Sequence, residues 1–144
     1  MDPLIDQTIE TFWATIPPIW HQVRAHIAHK ARERFGLTHD QVHVLRRIRQ
    51  GRTTVSDLAE AKHISRPAAS RAVDALVERG LVSRLRDSDD RRQVTLTLTP
   101  EGETALRDIF AEVSQWMAGR LAVLDPQELE QLDESMHVFR KAFP

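Results

Sequence analysis

The sequence predicts a mainly α-helical fold with a small β-hairpin, which belongs to the α+β class. Apolar residues recur at helical spacing through most of the chain, and five segments open on a Ser, Thr or Asp suited to cap a helix. One run, QVTLTLT, alternates polar and apolar residues as a half-buried strand does. At 144 residues the chain has the size of one domain, so we expect a single unit over residues 1–144.

Two helical segments are predicted at the N-terminus. The first has five apolar residues at helical spacing, which are Ile5, Ile9, Phe12, Trp13 and Ile16. Pro17-Pro18 follows, and we expect the helix to break or kink there because proline lacks a backbone donor and clashes with the preceding turn. The second segment continues from about residue 19 and ends before Gly36.

Three shorter helices are predicted in the middle of the chain, the last two joined by a tight turn. The first opens with the capping box THDQ at residues 38–41. The second starts at Thr54 and ends near His63. The third has Ser65 as its N-cap and Gly80 at its end, which are the residue types that favour those two positions.

Two strands and two further helices complete the pattern. The strands are expected at residues 81–86 and 93–98. Thr99 opens a long helix and Asp125 opens the last one, and each is followed by proline, whose missing N–H costs nothing in a first turn.

Charge is divided unevenly along the chain. Residues 46–92 carry twelve Lys or Arg against seven Asp or Glu, a balance of +5, whereas residues 1–45 and 93–144 have balances of −1 and −5. A basic middle between acidic flanks favours a polyanionic partner for the middle.

The helix that follows Ser65 has a face suited to DNA. Its candidate recognition residues are small or basic, and they are Ser65, Arg66, Pro67, Ala68, Ser70 and Arg71. Such a face can enter the major groove, which is about 12 Å wide. There arginine can read guanine, while hydroxyls and the helix N-terminus bind phosphates.

A spaced motif follows the strands. The pattern D-x-R-x-x-x-x-x-L-T-x-x-G runs from Asp90 to Gly102. With the order of the elements, it resembles the MarR (multiple antibiotic resistance regulator) family of bacterial repressors over nearly the whole chain. The resemblance implies a winged helix-turn-helix at residues 37–99, flanked by N- and C-terminal dimerisation helices at residues 1–35 and 100–144. It also implies a sequence-specific, homodimeric transcriptional regulator that represses from a palindromic operator in double-stranded DNA.

The resemblance assigns the hairpin, or wing, to DNA as well. The wing candidates are Arg84, Arg86, Asp90, Arg91 and Arg92. Arg92 matches the arginine that the family inserts into the minor groove, and Asp90 matches the aspartate that orients it. One position departs from the wider helix-turn-helix pattern, since His63 stands where the turn often has glycine. Histidine tolerates a positive φ better than most residues do, so the turn is still expected.

Surplus apolar residues at both ends of the chain predict a homodimer. They exceed what a winged domain needs for its own core, and the terminal helices of the family intertwine as the dimer interface. Two-fold symmetry also suits proteins that read two half-sites. The dimerisation candidates are Ile5, Ile9, Phe12, Trp13, Leu129, Leu132, Met136, Phe139 and Phe143.

A small-molecule effector is implied by the family, whose members typically release DNA when a compound, often an anionic aromatic, binds between the dimer helices and the winged domain. The candidate lining combines aromatic surface with cations and comprises Trp20, His21, Arg24, His43 and Arg46. Seven histidines leave a metal-responsive regulator open as an alternative, although no HExxH motif occurs and we predict no metal ligand. A helical interaction module that does not bind DNA is the other alternative.

Composition and motifs also exclude several kinds of site and classes of protein function. The chain has no cysteine, which excludes disulfides, thiolate zinc sites and thiol redox switches. No apolar run approaches the roughly 18 residues of a membrane span, and the N-terminus lacks a signal-peptide pattern, so we expect a cytoplasmic protein without a membrane partner. No phosphate-binding glycine loop or nucleophile elbow occurs, so we expect neither catalytic residues nor a cofactor.

Overall fold

The structure is a computed structural model that describes residues 1–51, 54–86 and 94–144. Within these residues its elements are α1 (Pro3–Phe35), α2 (His39–Arg49), α3 (Val55–Lys62), α4 (Arg66–Glu78), β1 (Val82–Arg86), β2 (Val94–Leu98), α5 (Pro100–Leu121) and α6 (Pro126–Ala142). The two strands form an antiparallel hairpin in which Val82 pairs with Leu98 and Arg86 with Val94. The predicted mainly α-helical fold with a β-hairpin wing is confirmed.

α1 is one continuous helix of 33 residues, so the predicted break at Pro17-Pro18 is wrong. The two prolines remove the bonds that the Trp13 and Ala14 carbonyls would accept. Trp13 and Ala14 are exposed in the chain, so water can satisfy these carbonyls and the helix continues on both sides. Despite its length, neither α1 nor any other described helix is apolar enough to cross a membrane.

The helices of the middle region begin at the predicted capping residues. Thr38 and Gln41 form the capping box through bonds of 3.2 and 2.9 Å. The side chains of Thr54 and Ser65 each accept a hydrogen bond from the backbone N–H of the residue three positions later, at 3.0 and 3.2 Å. Each cap satisfies an orphan donor and fixes where the helix starts.

The hydrophobic core lies where α1, α2, α4, α5 and the hairpin meet. Its largest fully buried side chains include Leu45 on α2, Leu76 on α4, Leu96 on β2, and Leu106 and Ile109 on α5. Burial of each such side chain contributes about 1.5–3 kcal/mol. The core therefore holds α4 by its inner face and leaves its outer face free.

α6 and the first half of α1 lie outside this core. The structure describes every residue of α6, and none of them is buried. Phe12 of α1 stacks on Phe139 of α6 with ring centroids 5.6 Å apart. The second half of α1, which contains the buried Ile27 and Ala31, joins the core.

Candidate nucleic-acid interface

α3, α4 and the turn between them form the helix-turn-helix. His63 ends α3 in the left-handed conformation, with φ of +52° and ψ of +44°, which confirms that it adopts the conformation expected of a glycine. The N–H of Ile64 then donates to the carbonyl of Ala59 at 3.0 Å and closes the turn. Leu58 of α3 and Val73 of α4 are buried, so packing fixes the two helices against each other.

The first turns of α4 present the predicted recognition residues. Ser65, Arg66, Pro67 and Arg71 are exposed, and Ala68 and Ser70 are half-buried. Ala69, Val73 and Leu76 are buried on the opposite side at helical spacing. Because these apolar residues recur at helical spacing on one face of α4, the polar residues on the other face and the N-terminus of α4 are directed away from the core.

A groove beside the predicted recognition residues extends the candidate interface to α3. It has a volume of about 860 Å³ and also touches the start of β2. Its polar lining comprises Thr54, Ser56 and Asp57 around the start of α3, and Arg66 and Ser70 from α4. The sequence-based prediction missed the α3 side. Its signal is the run TVSD, because hydroxyls at a helix N-terminus suit a phosphate.

The described part of the wing contains two of the predicted wing residues. Arg84 forms an ion pair and a hydrogen bond with Asp74 of α4, which ties the base of the hairpin to the recognition helix. Arg86 is exposed at the end of β1, opposite Val94. The other wing candidates, Asp90, Arg91 and Arg92, lie outside the described residues.

The Leu-Thr-x-x-Gly part of the motif attaches α5 to the chain that leaves α4. The hydroxyl of Thr99 donates to the Gly80 carbonyl at 2.6 Å and accepts the N–H of Gly102 at 3.1 Å. A Cβ at Gly102 would lie 2.1 Å from the Leu81 carbonyl oxygen. The close approach of the α5 backbone to Leu81 therefore requires glycine at this motif position.

Ion pairs join α5 to the second half of α1. Glu112 of α5 lies 3.4 Å from Lys30 and accepts a hydrogen bond from Arg34, and Asp108 lies 3.8 Å from Arg34. The hydrogen bond from Arg34 lowers the pKa of Glu112, and the same bond raises the pKa of Arg34. These contacts are partly exposed, so they orient the two helices more than they stabilise them.

The predicted effector residues lie on α1 and α2 and differ in their contacts. The Arg46 guanidinium lies 5.2 Å from the centroid of the Phe110 ring, a cation–π distance. His43 accepts a hydrogen bond from Arg47 at 3.3 Å. Trp20, His21 and Arg24 are exposed on α1.

His39 and His43 form a pair one turn apart on α2, with ring centroids 6.5 Å apart. Among the described residues, the buried Nδ1 of His39 finds no hydrogen-bond partner. Partial burial lowers the pKa of both histidines, and the charges of Arg24 near His39 and Lys62 near His43 add to it. Across residues 1–51, 54–86 and 94–144, no group of three or more His, Asp or Glu is placed to hold a metal ion.

Comparison with known proteins agrees with this geometry. Residues 37–94, which span the helix-turn-helix and the first strand, match the model of the MarR family. This region is therefore similar to the MarR family. One relative, the HTH-type transcriptional repressor MdtR of Bacillus subtilis, is 26% identical over 127 residues, which are 88% of this chain and 81% of MdtR.

Solved structures extend the likeness to more than nine-tenths of the chain. The transcriptional regulator Tm0710 from Thermotoga maritima has a TM-score of 0.81 at 21% identity, covering 93% of this chain and 97% of that one. A mutant of S. aureus MepR bound to an oligodeoxyribonucleotide has a TM-score of 0.68 at 20% identity, covering 92% of this chain and 98% of that one. The resemblance to MarR regulators and the winged helix-turn-helix fold are confirmed.

Proposed function

We propose that the chain is a cytoplasmic, homodimeric repressor of transcription that binds a palindromic operator in double-stranded DNA and releases it when a small molecule binds. The observation that carries this proposal is the outward face of α4. Arg66 and Arg71 are exposed beside the capped helix N-terminus, and Ser65 and Ser70 add hydroxyls. A helix placed in this way can read bases in the major groove.

The groove between α3 and α4 supports contacts to the DNA backbone. Thr54 and Ser56 supply hydroxyls, and the N-termini of α3 and α4 supply partial positive charge. Such contacts set the orientation of the protein on the duplex, whereas contacts to base edges set the sequence preference. Asp57 at the same groove disfavours a phosphate directly beside it, which favours a phosphate position nearer the α4 side.

The wing supplies the second part of the proposed interface. Arg86 is exposed at the end of β1, where the chain continues towards Asp90, Arg91 and Arg92. From the MarR resemblance we infer that Arg92 enters the minor groove and that Asp90 orients it. Minor-groove arginines respond mainly to groove width, so these residues contribute more to affinity than to base identity.

The known relatives support repression and DNA binding. MdtR is described as a transcriptional repressor, and a MepR mutant has been solved with an oligodeoxyribonucleotide. The repressor role and the double-stranded operator of the present chain are proposed by analogy with these two proteins.

The apolar surface of α1 and α6 supports a homodimer. Two grooves, of about 460 and 750 Å³, flank the contact between these helices. Phe12 and Leu132 are half-buried. A continuous apolar surface of this kind marks an interaction site, and a second copy offers the same surface in return. The other predicted dimerisation residues remain exposed, namely Ile5, Ile9, Trp13, Leu129, Met136, Phe139 and Phe143.

We place the proposed effector site at the residues predicted from the sequence, which are Trp20, His21, Arg24, His43 and Arg46. The exposed aromatic face of Trp20 and the cations on α1 and α2 suit an anionic aromatic compound. The proximity of this region to both the dimer helices and α2 would couple binding to the helix-turn-helix.

Selection of DNA by the full-length protein from a random duplex library tests the proposal. We expect an enriched sequence with two-fold symmetry, bound by a dimer in sedimentation. Met136→Glu should shift the protein towards monomer, while Glu134→Ala, in the same helix, should not. Enrichment of no sequence, or a monomeric wild type at micromolar concentration, would contradict the proposal.

A further inference from the structure

The C-terminal end of the recognition helix is fastened to α1 by an arginine. Arg79 is the C-cap residue of α4. Its Nη1 donates to the Gly36 carbonyl at 2.8 Å, and its Nη2 donates to the Phe35 carbonyl. These carbonyls lie at the C-terminus of α1, where a helix leaves acceptors without partners and carries partial negative charge. A guanidinium donates hydrogen bonds to these acceptors and supplies a positive charge beside the partial negative charge.

The geometry at the end of α1 gives this link a fixed direction. Gly36 adopts φ of +62°, and the N–H groups of Gly36 and Leu37 return to the last turn of α1 at 3.0 and 3.1 Å. The two accepting carbonyls are therefore held in place by the helix end itself. Two bonds from one planar guanidinium then restrict rotation as well as distance.

The neighbouring residues fasten the same end of α4 to α5. Thr99 bonds to Gly80, and Gly102 lies against Leu81. Because Arg34 and Glu112 also join α1 to α5, the recognition helix is held at its C-terminal end by both long helices. Its DNA-reading residues lie at the opposite end.

This arrangement makes the helix-turn-helix a lever, because α3 is packed against α4 and moves with it. α4 has 13 residues, a length of about 20 Å. A small change of angle at Arg79 therefore moves the N-terminal turns by several times the displacement at the fastened end. α1 carries the apolar dimer surface in its first half and the Arg79 contact at its last residue, so it spans the distance from the dimer to the lever.

We propose that Arg79 is a positioning residue for DNA binding, which fixes the separation of the two α4 helices in the dimer and thereby the spacing of half-sites that the protein accepts. This inference rests on the proposed function, because it requires a homodimer on DNA. Each base pair between half-sites adds about 3.4 Å of separation and rotates one half-site relative to the other, so a rigid dimer discriminates sharply between spacings.

The test measures affinity for duplexes that carry the selected half-sites with base pairs added or removed between them. For wild type, one added base pair should weaken binding at least about tenfold. For Arg79→Ala the difference between the two spacings should shrink to less than about threefold, because the helix-turn-helix can then adjust its angle to α1. Arg79→Lys should also broaden the profile, since one ammonium does not hold both carbonyls in a fixed plane. Arg32→Ala is the control, because the side chain of this exposed arginine in the last turn of α1 takes no part in the Arg79 contact.

A wild-type spacing profile in Arg79→Ala would overturn the inference, whatever its absolute affinity. The salt dependence of affinity is a second check. If Arg79→Ala reduces the slope by about one phosphate contact, Arg79 binds DNA directly and the inference is overturned. If Arg79→Ala does not fold, the profile of Arg79→Lys decides between the two results. A wild type that is monomeric or binds no DNA is a failure of the proposed function instead.

Discussion

Arg84 on the first strand of the wing is ion-paired with Asp74 on the recognition helix. The two side chains are 35% and 58% exposed, and pairs at such positions contribute about 0–1 kcal/mol to stability. The ion pair therefore affects the position of the wing more than the stability of the fold. It holds the base of the wing against α4 and neutralises one cation on the proposed DNA surface.

Removal of the Asp74 charge should strengthen DNA binding. In Asp74→Asn, Arg84 loses its ionic partner and becomes free to contact phosphate. We expect affinity for non-operator DNA to rise and its dependence on salt to steepen by about one phosphate contact. Gel shifts over a salt series measure both, with Asp133→Asn on α6 as the matched control. Unchanged salt dependence in Asp74→Asn would show that Arg84 does not reach DNA.

Two glycines of α5 should respond to alanine with opposite signs. A Cβ at Gly102 would lie 2.1 Å from the Leu81 carbonyl oxygen, whereas at Gly119 it would meet no atom of the described residues within 4 Å. Gly102→Ala should lower the free energy of unfolding by about 1–3 kcal/mol through overpacking. Gly119→Ala should raise it by about 0.5–1 kcal/mol, because alanine favours the helix. Urea denaturation compares the two, and equal effects would contradict the close approach at Leu81.

The turn residue His63 should tolerate glycine and reject a β-branched residue. Its φ of +52° is costly for a side chain branched at Cβ. His63→Val should lower the free energy of unfolding by about 1–2 kcal/mol, while His63→Gly should leave it within about 1 kcal/mol of wild type. Thermal unfolding of the two variants checks this. A valine variant as stable as the glycine variant would argue against the left-handed turn.

The histidine pair on α2 should make the fold less stable in acid. Burial lowers the pKa of His39 and of His43 below the ordinary value of 6.5, so the unfolded chain binds protons more readily than the folded chain. The contribution of the neutral histidines is therefore complete above about pH 6.5 and is lost as the pH falls through the lowered pKa values.

Replacement of both histidines isolates this effect. The double variant His39→Gln with His43→Gln should show a weaker loss of thermal stability between about pH 7.5 and 5 than wild type does. Glutamine at position 43 retains an acceptor for Arg47, which limits the structural disturbance. A pH dependence equal to that of wild type would contradict the account.

Local signals explain which parts of the fold were predictable. The caps at Thr38 and Ser65 depend on residues three positions away, and the buried stripe of α4 depends on helical spacing. The strand limits and the left-handed turn at His63 also follow from adjacent residues. The same local reasoning led to the wrong break at Pro17-Pro18, because it could not weigh two lost bonds against an exposed helix that continues on both sides.

Contacts between distant segments explain what the sequence could not provide. Arg79 lies 43 positions from Gly36, and nothing in its neighbourhood marks it as more than a charged residue near a helix end. Likewise, Asp74 and Arg84 are separated by the end of α4 and the start of the wing. Their pairing depends on how the hairpin folds back, which is a property of the core. The predicted recognition face could be named in advance because one helix contains all of it.

The affinity of wild type and Arg71→Ala for the selected DNA, measured over a series of salt concentrations, tests the central claim most directly. The claim that α4 reads DNA predicts a steep loss of wild-type affinity with salt. It also predicts that Arg71→Ala binds about 5- to 150-fold more weakly, a loss of about 1–3 kcal/mol, with a relaxed preference at one base pair. Equal weakening on every sequence would restrict Arg71 to phosphate contact. Affinity that does not depend on salt, or wild-type affinity in Arg71→Ala, would contradict the claim.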